Sequence, residues 1–158
     1  VTFEQAVEFV LAHEGGHSDD QADKGGETAY GISHRSYPDL DLKTLTKEQA
    51  KELYKFDFWL PLHCDELPQG VDLMVFDAAA NQGKAAAARM LQKSVGAVVD
   101  GVVGPDTIKA AQLYPSKTII AMAAERMFAY GAHEQFIRYG AGWARRLMAA
   151  VYLALERK

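Results

Sequence analysis

Residues 12–20 read AHEGGHSDD, and within them His13-Glu14-Gly15-Gly16-His17 spells H-E-x-x-H, the spacing by which a zinc peptidase binds its metal. That chemistry needs both histidines on one face of an unbroken helix, with the glutamate set to polarise a metal-bound water. Here both intervening residues are glycine, and each costs a helix interior about 0.8–1 kcal/mol relative to alanine. Ser18, Asp19 and Asp20 follow without any return of apolar periodicity. The helix is expected to end before His17, and no third ligand sits on a recognisable partner helix. No metal site is expected, and no cofactor. A calcium loop is disfavoured too, because the D-x-D-x-D-G pattern with its closing glutamate is missing.

Glu14 supports a different chemistry. Positions 3, 7, 10 and 14 are spaced four, three and four, so Glu14 extends the apolar face of the first helix at its C-terminal end. Partial desolvation there, and the negative end of the helix dipole, disfavour the ionised form. A carboxyl that keeps its proton near neutral pH can protonate a glycosidic leaving oxygen. Glycosidases commonly pair such an acid with a second carboxylate that stays ionised. Asp19, Asp20 and Asp23 are the candidates, on a loop that Gly25, Gly26 and Gly31 allow to turn tightly over Glu14.

The elements that must position these groups are mostly helical. Thr2 and Gln5 form a capping-box pattern ahead of Phe3, Ala6, Val7, Val10 and Leu11, and Thr46 with Gln49 repeats it before AKELYKF, which Pro61 stops. TAYGIS, residues 28–33, is the one short β-tolerant run and predicts a small hairpin. GVDLMVFDAAANQG, residues 70–83, reads as a helix apolar on nearly every side and so central to a core. Ala85 to Val95 continues helically to Gly96, and Pro105 opens the next helix. Two long helices are then expected, 117–139 and 142–158, separated around Gly140 and Gly142. A boundary is placed near residue 96.

Several side chains have two readings. Tyr30 follows Thr28 by two, so on a strand both would point to one face, toward a cleft if Thr28 does. Trp59 and Phe58 could stack on sugars or fill the core. Asp77 and Asn81 are one helical turn apart on a helix too apolar for unpaired polar groups, either in an internal hydrogen-bond network or on the floor of a saccharide groove. Arg126, Arg138, Arg145 and Arg146 could meet acidic wall polymers, but a solvated face explains them more simply. Cys64, the single cysteine, reads as a structural thiol.

The chain has 158 residues, 49% of them hydrophobic and 24% charged, with a formal net charge of −4. This suits one globular domain with a small appended lobe and gives no basic field for nucleic acid. No apolar run approaches a membrane span of about 20 residues, so no stable membrane insertion is expected. The sequence begins without methionine, which leaves a removed leader or anchor open.

EGGHSDDQADKGGETAYGIS resembles the E-G-G…D…G-G-x-T-x-x-G-I signature of glycoside hydrolase family 108, the N-acetylmuramidases of phage endolysins and related bacterial proteins. RSYPDLDLKTLT, YKFDFWLP and VFDAAANQG continue the likeness, and VDGVVGPDTIKAA resembles the small C-terminal peptidoglycan-binding region that commonly accompanies the family. His17 departs from the aromatic residue often found after E-G-G, and the loop lacks the usual prolines. The resemblance implies a mainly α, lysozyme-like helical domain with a small β-hairpin and loop lobe near the active site. It divides the chain into a muramidase catalytic domain, residues 1–95, and a helical peptidoglycan-binding region packed on it, residues 96–158.

It also implies a peptidoglycan hydrolase, a lysozyme of phage or prophage endolysin type, that cuts the β-1,4 bond between N-acetylmuramic acid and N-acetylglucosamine. Glu14 takes the place of the general acid. Asp23 and Thr28 stand near the positions where lysozyme relatives keep an aspartate and a threonine, while Asp20 and Asp19 compete with Asp23. His17, Tyr30, Trp59, Asp77 and Asn81 are the candidate substrate contacts. The expected partner is the peptidoglycan glycan strand, met by a monomer in the periplasm after cytoplasmic synthesis and release by a holin or an export segment. The alternatives are a lytic transglycosylase and a catalytically silent wall-binding scaffold.

Overall fold

The structure, a computed structural model, describes residues 1–14 and 28–156. Helix α1 spans Phe3–Glu14 and buries Ala6, Val7, Val10 and Leu11. Its first turn closes as the pattern predicts. The Thr2 amide donates to Gln5 Oε1 (3.0 Å) and the Gln5 amide to Thr2 Oγ1 (3.3 Å). Strands β1 (Thr28–Ala29) and β2 (Ile32–Ser33) pair antiparallel, Thr28 opposite Ser33 and Ala29 opposite Ile32, giving the expected hairpin.

Helix α2 (Lys47–Tyr54) starts at the Thr46–Gln49 capping box and runs into a π-helical turn, Lys55–Trp59, in which the Leu60 amide donates to the Lys55 carbonyl. Proline at 61 has no N–H to extend that ladder. A 3₁₀ turn, Cys64–Glu66, leads to α3 (Val71–Gln82).

Helix α3 is the axis of the fold, with Val71 through Ala79 all buried. Around it pack α1, α4 (Lys84–Val95), α6 (Pro115–Gly131) and α7 (Phe136–Leu155). An all-round apolar helix has no other stable place. Helix α4 ends at Gly96, whose φ of 70° is the left-handed cap that glycine adopts without penalty, and α5 (Pro105–Leu113) begins with its proline. Among the described residues there are seven α-helices and one two-stranded sheet.

One expectation fails. The last two helices part at Ala132–Gln135, not at Gly140 and Gly142, both of which lie inside α7. Gly140 is buried, and a Cβ there would stand 2.6 Å from the Phe136 ring, so this glycine serves close packing inside the helix. A glycine's part as packing surface leaves the same letter in the sequence as its part as a break.

Candidate functional site

The site is built where α1, the hairpin turn and α7 converge on Glu14. Tyr30 and Gly31 form the two-residue turn with φ of 54° and 77°. Two positive values in succession suit the right-handed twist of a hairpin. Gly31 is required for a second reason: a Cβ would stand 2.7 Å from Glu14 Cγ and 2.7 Å from the Tyr54 hydroxyl oxygen. The backbone of the turn therefore lies directly on the Glu14 side chain. Tyr54, buried on α2, clamps it there by donating to the Tyr30 carbonyl (3.1 Å). Burial pushes the Tyr54 phenol up, and the Glu14 charge adds to this.

The sequence puts only the core edge and the helix end beside Glu14. The structure adds a guanidinium: Arg146 Nη1 donates to Glu14 Oε1 at 2.6 Å, across 132 positions of sequence. Arg146 Nε donates to Asp77 Oδ1 (2.9 Å), and its Nη2 lies 2.8 Å from the same oxygen. Asp77, with no exposed side-chain surface, gives its other oxygen to Arg126 Nη2 (2.7 Å).

Arg126 is equally buried and donates onward, through Nε to Gln82 Oε1 (2.9 Å) and through Nη2 to the Tyr130 hydroxyl (3.2 Å), which itself donates to Asn81 Oδ1. Two acids and two arginines thus form one hydrogen-bonded chain from the core to Glu14. Burial works against the charge on Arg146, but Asp77 and Glu14 outweigh it and hold the guanidinium charged. The Glu14 side chain keeps 21% of its surface, against 8% for Arg146 and none for Asp77.

Of the residues expected from sequence, Glu14, Asp77 and Asn81 are brought into this one network. Asp77 belongs to the internal network and has no surface left for a sugar; Asn81 belongs to the network and also lines a cavity. Thr28 lies on β1, half-buried, two residues before the turn that touches Glu14. Tyr30 is in the turn itself, so strand alternation does not set its direction. Trp59 is a core residue, 1% exposed, edge-on to Phe3 and Phe76, with its indole N–H donated to Asp65 Oδ1 (2.8 Å). That packing leaves it no free ring face for stacking. His17, Asp19, Asp20 and Asp23 lie outside the described residues. His13 Nδ1 is 2.8 Å from the Phe9 carbonyl, and its ring packs on Phe9. Among the described residues no group of three or more metal-ligating side chains occurs.

Arg126 and Arg146 correct the reading of the C-terminal arginines as a solvated face; only Arg138 and Arg145 are exposed. The signal for Arg126 was its setting in AMAAERMFAY, an arginine among apolar residues that can reach Tyr130 one turn on. Nothing local distinguishes Arg146 from Arg145.

The model of the glycosyl hydrolase 108 family matches residues 7–83, from α1 to the glycine that follows α3. A solved structure, that of Brucella abortus SagA, is 32% identical to the chain and superposes with a TM-score of 0.89 over 97% of this chain and 93% of that one. The chain belongs to the glycosyl hydrolase 108 family. Membership makes it a glycoside hydrolase acting on a glycan, in a mainly α, lysozyme-like fold. No curated protein sequence matches it. The glycosyl hydrolase 108 match covers Glu14, the hairpin, Asp77, Asn81 and Gln82. Arg126 and Arg146 lie beyond residue 83, on helices packed against the matched part.

Proposed function

We propose that this glycoside hydrolase is a muramidase that cuts the β-1,4 bond between N-acetylmuramic acid and N-acetylglucosamine in peptidoglycan, with Glu14 as the proton donor. The observation that carries the reading is the convergence on one partly exposed carboxyl of a glycine turn, a buried arginine and the end of the first helix. A proton donor must be held in place yet reachable, and Glu14 combines both.

In this reading protonated Glu14 gives its proton to the glycosidic oxygen as the bond to the sugar's anomeric carbon breaks. The carboxylate left behind is stabilised by Arg146, whose geometry does not depend on Glu14 because Asp77 holds its other edge. Water then adds to the oxocarbenium-like carbon and gives its proton to a second carboxylate, and Glu14 regains a proton from solvent. Asp23 or Asp20 is the proposed second carboxylate, and Thr28, on the strand before the turn, would hold the water through its hydroxyl. Residues 96–158 are proposed as the peptidoglycan-binding region. The two parts are expected not to work apart, since α6 and α7 carry Arg126 and Arg146 into the network of the first. A phage or prophage endolysin acting on the wall is the setting this chemistry fits.

Mass spectrometry of the soluble products from purified peptidoglycan tests the reading. Reducing ends in muramic acid, unchanged by a chelator, are expected. Anhydro-muramic ends would replace hydrolysis with transglycosylation, and wall binding without release would replace it with a scaffold.

A further inference from the structure

A cavity of about 430 Å³ opens between α3, α4, α6 and α7, lined by Asn81, Gln82, Met90, Tyr130, His133 and Trp143 among others. Its size falls in the range of small-ligand sites. It shares Asn81, Gln82 and Tyr130 with the chain of hydrogen bonds that ends at Glu14.

Arg126 sets the polarity of this cavity. A guanidinium has no acceptor, so the Gln82 atom facing Arg126 Nε must be the amide oxygen. The Tyr130 oxygen accepts from Arg126 Nη2, which turns the Tyr130 proton toward Asn81 and makes the contacting atom there an oxygen as well. Both amides therefore spend their acceptor on the buried network and keep two N–H donors each. His133 adds another: its Nδ1 accepts from the Gln135 amide (3.2 Å), so the neutral ring carries its proton on Nε2. Among the described residues no lysine, arginine, aspartate or glutamate lines the cavity.

One wall is aromatic. Half-buried Trp143 lies 5.2 Å from the Tyr130 ring and 5.2 Å, edge-on, from His133, with Tyr139 stacked at 6.2 Å. A ligand for this site has an apolar face for the indole and neutral acceptors for the donors. A carboxylate would meet no lining cation and would be poorly compensated. A sugar bearing an acetamido group has both required features: a ring face, and a carbonyl oxygen that only accepts.

We propose that this cavity is a subsite for an N-acetylated sugar of the glycan, in which Asn81, Gln82 and His133 donate to the acetamido carbonyl and ring hydroxyls while Trp143, Met90 and Ala129 line its apolar side. The proposal rests on the muramidase reading for its substrate. Asn81 is one helical turn beyond Asp77, so the subsite adjoins the network that holds Glu14.

The test is a titration of the full chain, followed by NMR at the Asn81 and Gln82 side-chain amides and the Trp143 indole, with an N-acetylglucosamine tetrasaccharide and with the glucose tetrasaccharide that lacks acetamido groups. All three resonances are expected to move with the first, and the second should bind about ten-fold more weakly or less. Gln82→Glu and Asn81→Asp keep the oxygen that Arg126 or Tyr130 needs and replace the N–H donors with an acceptor. Each is expected to weaken the acetylated ligand about ten-fold while keeping a single cooperative thermal transition.

Wild-type affinity in both variants, or equal affinity for the two sugars, overturns the proposal. Wall digestion assayed in parallel separates it from the muramidase reading. Digestion with unmoved cavity resonances sinks the subsite alone, whereas a responsive cavity without digestion keeps the subsite and removes the muramidase.

Discussion

Helix α1 carries two ionic sites, one at each end, and they differ in almost everything except the type of pair. Near its start, Glu4 and Glu8 meet Lys47 and Lys51 of α2 at 2.6–3.0 Å, on side chains that, apart from Lys51, stay about half exposed or more. At its end, Glu14 meets Arg146, 8% exposed, at 2.6 Å, and that arginine leans on an aspartate with no exposure at all. Water screens the first site and solvates whatever a mutation leaves behind. In the second, any group that loses its partner stays buried. The contrast teaches that the exposed ladder aligns two helices at little energetic consequence, whereas the buried chain fixes where one carboxyl stands.

Matched variants at the two ends would sharpen or break that contrast. The largest effect is expected from Glu14→Gln, which keeps the shape of the side chain and removes its proton chemistry. Turnover on peptidoglycan should fall by about 10²–10⁴-fold with the thermal transition retained, while Glu8→Gln should leave turnover as it was. A folded, fully active Glu14→Gln chain would end the assignment of Glu14 as acid.

Arg146→Ala comes next. Removing one member of a buried pair costs about 3–5 kcal/mol, measurable as a lower urea midpoint. Arg146→Lys keeps a charge but cannot bridge Glu14 and Asp77 with a planar fork. It should lose kcat more than KM, and a lysine variant with wild-type kcat would show that the fork does not position Glu14.

Gly31→Ala asks whether the turn matters as a contact. The left-handed backbone costs a non-glycine residue about 1–2 kcal/mol, and the new methyl would press on Glu14 Cγ. Activity should fall further than that stability loss explains; equal activity per folded molecule would mean that Glu14 shifts without consequence.

The smallest effect belongs to the exposed ladder. Lys47 and then Lys51, through their hydrogen bonds, hold the Glu8 carboxyl below its ordinary range. A carboxylate whose folded value is depressed contributes stability that is present above its unfolded value and fades as pH falls through the folded one. The melting-temperature difference between wild type and Glu8→Gln should therefore be slight at neutral pH, shrink with added salt and vanish in acid. A difference that survives molar salt would contradict the screened picture.

What could be read from the letters alone was what depends on neighbours within about one turn. The two capping boxes, the TAYGIS hairpin, the Gly96 cap and the proline opening α5 all lie in such windows, and so does the periodicity that put Glu14 at the end of an apolar face. The family signature added the glycoside hydrolase chemistry. The glycines of the last two helices misled, because a glycine that lets Phe136 pack and a glycine that ends a helix are the same letter.

The guanidinium beside Glu14 was beyond any local window. Arg145 and Arg146 are adjacent on an amphipathic helix, and successive helical residues point about 100° apart, so one faces solvent and the other the core. Which of them turns inward is set by how α7 rotates against α3. Sequence determined that Glu14 stands at the end of a helix, on the edge of its apolar face. Only the tertiary packing decided that Arg146, Asp77 and Arg126 complete its surroundings, because a buried charge is tolerated only where partners from distant parts of the chain arrive together.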